Sequence, residues 1–308
     1  MTIGTRPFAA FSLKEPDRRK FGALVFRGGM VWRSGHREFG GLSALDVHQG
    51  RFTAFADTGV VVTGLVRHDA SGRPVAVDDA SIERFAGPDG RPYRDKQHND
   101  AEGLARIGAD LYVSLEQDTR IMRYRFRGAS LSPATLVRGL DGFSPRRGLE
   151  SLTAVRVEGV RMLLAVSEKV RDDRVAALLL DPADGAVRTL AIASDGVWAP
   201  TGATTLPDGD VVLLERRFTV RGPHMRLRRV AAGDLVPGAL VPARELMRAG
   251  PGHMLDNMEA VAAFAGPGGE LRLALLSDDN MFPFQRTLYL EFAFADAMAP
   301  YVEGASRE

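Results

Sequence analysis

The chain has 308 residues, 45% hydrophobic and 26% charged, which suits a globular protein with room for one large all-β domain or two smaller ones. Its 40 Lys and Arg balance 39 Asp and Glu, so no net field draws in nucleic acid, and nucleic acid is excluded as an expected partner. The absence of cysteine rules out disulfides, thiolate metal sites and cysteine nucleophiles, leaving oxygen and imidazole as metal donors.

The first 20 residues have no apolar core of the kind an export signal needs, and no stretch approaches the roughly 20 apolar residues of a membrane helix. The reading is therefore an N-terminal extension over 1–20, with no signal segment and no membrane span. Residues 21–34, FGALVFRGGMVWRS, predict a strand with no neighbour to pair with locally. From residue 41 a two-part pattern then recurs five times, each copy joining the start of one apolar strand to the end of the next. The copies are GLSALDV with FTAFADTG, AEGLARI with LYVSLEQD, LESLTAV with MLLAVSEK, TGATTLP with VVLLERR, and MEAVAAF with LALLSDDN.

The first strands begin at Ser43, Glu102, Glu150, Thr201 and Glu259, at intervals of 59, 48, 51 and 58 residues. The second strands end at Asp57, Glu116, Glu168, Glu215 and Asp278. Short apolar runs bounded by Gly, Asp and Pro read as buried strands, and a period of this length fits four-stranded propeller blades. The fold class expected is all-β: one propeller over 21–295, with residues 296–308 as a tail. Five blades are predicted, with 21–34 completing the last one; six is the alternative if 67–99 forms a blade of its own. A hairpin brings the start of its first strand beside the end of its second, so the repeated carboxylates should converge on one mouth of the central channel.

Carboxylates gathered in this way repel one another and resist ionisation unless a cation compensates. Calcium, which takes six to eight oxygens, is the cofactor expected. The candidate ligands are Asp57, Asp100, Glu102, Glu150, Glu215, Asn257, Glu259, Asp278 and Asp279, because Asp100 and Asn257 lie two residues before a repeated Glu and share its strand face. Strand-end capping by the same side chains is the competing reading. Basic residues flank these positions, and Arg147, Lys169, Arg216 and Arg286 are candidate ligands for a phosphate or carboxylate. Simple neutralisation of the acidic ring explains them equally well. Glu116, Glu168 and His98 are the candidate proton-transfer groups. There is no Gly-x-Ser-x-Gly elbow, Walker loop, dinucleotide fingerprint or His-Glu-x-x-His in the chain.

The segments DAEGLA (100–105), GLESLTA (148–154), LLERRF (213–218), DNMEAVA (256–262) and LLSDDNMFPFQRTLYL (275–290), in this order, resemble the bacterial phytase-like family known as "esterase-like activity of phytase". The resemblance covers roughly residues 38–292. It implies a β-propeller whose acidic residues support metal-dependent phosphoester chemistry, and members that are usually exported, hence a periplasmic or secreted location; otherwise the location expected is cytoplasmic. The matching positions are Asp100, Glu102, Glu150, Glu215, Arg216, Asn257, Glu259, Asp278, Asp279 and Asn280. The functional expectation is a calcium-dependent phosphoesterase whose partner is a small phosphoester or other anionic ligand. A lactonase-like hydrolase and a non-catalytic binding propeller with a structural metal stand as alternatives.

Overall fold

The structure, a computed structural model, describes residues 1–93, 96–117, 119–140 and 148–296. Three strands open the chain: β1 (Gly4–Phe8), β2 (Lys20–Phe21) and β3 (Leu24–Arg33). The first blade follows with β4 (Leu42–His48), β5 (Arg51–Ala56), β6 (Val60–His68) and β7 (Pro74–Arg84). A short helix, α1 (Lys96–Asn99), leads into the second blade of β8 (Ala101–Ile107), β9 (Asp110–Leu115) and β10 (Arg120–Arg127). Its outer edge is completed by two-residue strands, β11 (Ser130–Leu131) and β12 (Thr135–Leu136).

The third blade is built of β13 (Leu149–Val157), β14 (Val160–Arg171), β15 (Arg174–Leu180) and β16 (Val187–Ala193). The fourth contains β17 (Ala199–Thr205), β18 (Val211–Thr219) and β19 (Gly222–Val230). The chain then crosses back to lay β20 (Leu240–Val241) parallel to β16 before β21 (Arg244–Ala249) finishes the fourth blade. The fifth has β22 (Asn257–Ala265), β23 (Leu271–Asp278) and β24 (Thr287–Phe294), and β3 pairs antiparallel with β24 to close the ring. The five-bladed reading holds: residues 67–84 complete β6 and β7 of the first blade, so the six-bladed alternative falls. β1 adds to the outer side of β3 from Gly4↔Arg33 to Phe8↔Gly29, which brings part of the first 20 residues into the fifth blade.

Strands in the middle of a blade are sandwiched between neighbouring sheets, so both faces are buried and mostly apolar, as in the wholly buried LRLALLSD of β23, whose one arginine, Arg272, is paired with Glu291. The core is accordingly divided among blade interfaces. Phe55 and Val61 meet Val113 and Met122 between the first and second blades, and Tyr112 and Ile121 meet Leu163 and Leu178 between the second and third. Leu164 and Val166 meet Leu213 next, followed by Leu214 and Leu227 against Leu273 and Leu290. The closing interface is aromatic: Trp32 of β3 stacks on Tyr289 at 4.9 Å and packs against Phe52 at 4.8 Å.

Candidate metal centre at the channel mouth

Each innermost strand carries a β-bulge at the same place. The register shifts between Leu42 and Ala44, Ala101 and Gly103, Leu149 and Ser151, Pro200 and Gly202, and Met258 and Ala260. The extra residues are Ser43, Glu102, Glu150, Thr201 and Glu259, the positions marked by repetition in the sequence. A bulge takes a residue out of the ladder and re-aims its side chain. Two residues earlier, the inner strand meets the end of the second strand: Asp57, Glu116 and Glu168 donate their backbone N–H groups to the carbonyls of Gly41, Asp100 and Gly148, at 2.9, 3.0 and 3.0 Å. At Gly41, with φ +64°, a Cβ would lie 2.2 Å from the Asp57 carboxylate.

In the fifth blade the equivalent of Asp57 is Asp278, opposite Asn257; in the fourth it is Arg216, opposite Ala199. Glu215, expected at the mouth, lies elsewhere. Five residues, 206–210, separate Thr205 from Val211 in the fourth blade's inner hairpin, against two in the first and second blades. Counting an equal spacing therefore stops one residue short, and one residue on a strand reverses the face. Glu215 is fully buried and receives Arg226 and Arg228, the latter with Nε at 2.8 Å. Arg228 also donates to the Ala193 carbonyl at 2.6 Å, tying the fourth blade to the third.

The structure brings Asp100, Glu102 and Glu116 together, each offering one carboxylate oxygen within 4.8 Å of the others. The Gln117 amide donates to Asp100 at 3.0 Å and to Glu116 at 3.2 Å, bracing the pair. Burial pushes the Glu102 carboxyl well above its usual range, and the charges of Glu150, Asp100, Glu116 and Asp57 add to the effect. Glu150 is pushed up to about 8, first by burial, then by Glu168 and Glu116, with Arg216 opposing. Burial raises Asp278 to about 7; the Asn280 N–H lowers it, and Asp57 and Asp279 raise it further. Carboxylates from all but the fourth blade thus sense one another across the mouth.

Arg216 takes the fourth blade's place in this ring. It pairs with Glu259, donates to the Asn257 amide oxygen at 2.8 Å and reaches Glu168 at 3.3 Å. Asn257 also donates to Glu259 at 2.7 Å. The other oxygen of Glu259 is buried and, among the described residues, has no hydrogen-bond partner. The mouth therefore has a side rich in carboxylates, on Asp57, Asp100, Glu102, Glu116 and Glu150, and a side on which Arg216 pairs with Glu259 and Glu168.

The remaining expected site residues fall around this centre. Asp279 accepts from the Gly41 and Met281 N–H groups at 3.0 and 3.1 Å and from the Thr287 hydroxyl at 2.8 Å, which makes it a loop clamp. Arg286 is bound to Asp256 at 3.2 Å and to the Leu255 carbonyl at 2.8 Å. Lys169 is exposed one residue beyond Glu168, where strand alternation turns it to the other face. His98 stacks on Tyr93 at 6.3 Å within and before α1. Arg147 lies outside the described residues. Sequence reasoning missed Gln117, Arg226 and Arg228; the signal for the two arginines was the longer Leu206–Asp210 turn, which sets which face Glu215 occupies.

These features define the class: a five-bladed propeller with an acidic ring at one channel mouth. The chain belongs to the Phytase-like family, described as "Esterase-like activity of phytase", which it matches over residues 37–281. No curated protein sequence matches the chain. Among solved structures, an endo-arabinase from Bacteroides thetaiotaomicron is similar at 12% identity and a TM-score of 0.51, over 86% of this chain and 98% of the other. A PQQ-bound aldose sugar dehydrogenase from Streptomyces coelicolor aligns over 86% and 98%, with 12% identity and a TM-score of 0.44. At such identity the endo-arabinase likeness concerns the fold alone. Among the described residues, no helix is long and apolar enough to cross a membrane.

Proposed function

We propose that the chain is a calcium-dependent hydrolase of phosphate esters, with the cation held by Asp100, Glu102 and Glu116 and flanked by Glu150. The observation that carries this reading is the convergence of three carboxylate oxygens within 4.8 Å. Two ligands of an ion bound at roughly 2.3–2.6 Å cannot lie farther apart than about twice that distance, so the separation fits one coordination shell. The donors are all hard oxygens, which suits calcium, and the raised carboxyls of Glu102 and Glu150 are groups that a cation would relieve. The family description adds support for ester chemistry.

When bound, the cation supplies charge for a phosphoryl oxygen and acidifies a water. The chain's own residues do the rest. Arg216, with its guanidinium beside the acidic centre, orients the phosphate and balances its charge. Glu168, 3.3 Å from that guanidinium, takes the proton of the attacking water. Gln117 keeps Asp100 and Glu116 aligned. The family resemblance also suggests action in the periplasm or outside the cell, which fractionation of the native host tests.

The test is thermal unfolding of chelator-stripped protein titrated with calcium or magnesium, beside turnover of nitrophenyl phosphates and a panel of lactones. A calcium-specific rise in midpoint with phosphate-ester turnover, both lost in the Glu102→Gln/Glu259→Gln double variant, is the expected outcome. Retained turnover in that variant would overturn the mechanism; a calcium response with no turnover of any ester would leave a binding propeller locked by metal.

A further inference from the structure

The mouth continues outward into a pocket of about 430 Å³ at the junction of the third and fourth blades, lined by Glu168, Val197, Ala199, Arg216, Arg217 and Phe218. It is an open depression on the surface rather than an enclosed cavity, so it can hold one side of a ligand's organic group. We infer that this pocket is a subsite for the organic part of an anionic substrate, and that it selects an aryl or bulky alkyl group attached to the phosphate. This deepens the hydrolase reading and rests on it only for where the reacting bond lies.

The argument begins with strand alternation. β18 runs past the ring to Thr219, so Phe218 emerges on the same face as Arg216, two residues before it. The Arg216 guanidinium carbon is 5.8 Å from the Phe218 ring centroid, which places a flat apolar surface directly beside the cation at the edge of the acidic centre. Phe218 is 58% exposed and Val197, facing the same pocket, is 48% exposed. Among the described residues neither belongs to an interior cluster, so their burial is available to a ligand.

Charge points the same way. Arg216 and Arg217 both line the pocket with Glu168, and it is Arg216 whose guanidinium lies beside Phe218 while also pairing with Glu168 and Glu259. A dianionic head would meet Arg216 while its organic substituent covers Phe218 and Val197. A small polar alcohol as the esterified group would leave this apolar wall wet, whereas an aryl group would displace that water and gain the area.

Binding of two non-hydrolysable probes, 2-naphthylphosphonate and methylphosphonate, to the full chain tests the inference without requiring turnover. Trp198 is the adjoining residue to Val197 and sits beneath Arg226 at 4.9 Å, so its fluorescence can report occupancy alongside calorimetry. The naphthyl probe is expected to bind about tenfold tighter or more, from the burial of one aromatic group. Phe218→Ser should bring the two affinities within about twofold, Phe218→Leu should restore part of the preference, and Phe284→Ser, in the β23–β24 loop, should leave it intact. Equal affinities in the native chain, no binding of either probe, or a preference that survives Phe218→Ser combined with Val197→Ser would each overturn the subsite. Ester hydrolysis without aryl preference removes this inference alone, and aryl phosphonate binding without turnover removes the hydrolase reading alone.

Discussion

Two glutamates in different blades, Glu102 on β8 and Glu215 on β18, illustrate what placement does to one residue type. Glu215 is fully buried between Arg226 and Arg228, whereas Glu102 is half-buried, and its burial and the other carboxylates around it raise its pKa. Their removal should therefore have opposite effects. Glu215→Ala leaves two guanidiniums in the interior with one fewer counter-charge, and a loss of about 3–5 kcal/mol is expected. Glu102→Gln removes a carboxyl that burial and its neighbours keep from ionising, and the chelator-stripped protein should become more stable, on the order of 1–2 kcal/mol. Denaturant unfolding of both variants at neutral pH checks the pair; destabilisation of the same size in each would contradict the assignment of Glu215 to the blade interior. Residue identity was legible in the motif LLERRF, but which of its charged side chains faces the mouth was not. That depends on the length of the preceding turn, and Leu206–Asp210 is long enough to give Arg216 the position that equal spacing assigns to Glu215.

At the scale of elements, closure of the ring rests on the N-terminal strand. β3 pairs with β24 over eight positions from Thr287↔Trp32 to Phe294↔Leu24, and Trp32 fills the interface between the last and first blades. Trp32→Ala should cost about 3–5 kcal/mol through the cavity it leaves, and deletion of residues 1–33 should expose the edge of β24 and yield aggregated or unfolded protein. Circular dichroism and gel filtration measure both; a deletion variant with native spectrum and a cooperative transition would show that the ring closes without this strand. The apolar run at 21–34 announced β3, and the repeats announced the inner hairpins. β1 and β20 had no comparable signal: GTRPF is largely exposed, and β20 is two residues held by parallel pairing with β16. Their positions depend on neighbours contributed by distant parts of the chain.

At the scale of the whole molecule, the raised carboxyls at the channel mouth give stability a definite dependence on pH. Glu150 and Asp278 are raised to about 8 and about 7, against ordinary values of about 4.3 and 3.9 in an unfolded chain. The folded protein then binds more protons than the unfolded one between those limits, so stability falls as pH rises. The contribution is fully present below about pH 4 and is lost as pH climbs through 7 to 8, where both groups must ionise next to Glu168, Glu116 and Asp57. Calcium should reverse the trend, because it binds the ionised form, releases protons and competes best at high pH. The unfolding midpoint of stripped protein is therefore expected to drop between about pH 5 and pH 9. With millimolar calcium it should stay level or rise, and Glu150→Gln should flatten the metal-free slope. A stripped protein indifferent to pH, or a calcium effect as large at pH 5 as at pH 8, would mean that Arg216 and the strand-end backbone N–H groups already satisfy the acidic mouth. The ring would then be a structural device of the propeller, since only an unrelieved excess of carboxylate charge couples folding to a cation in this direction.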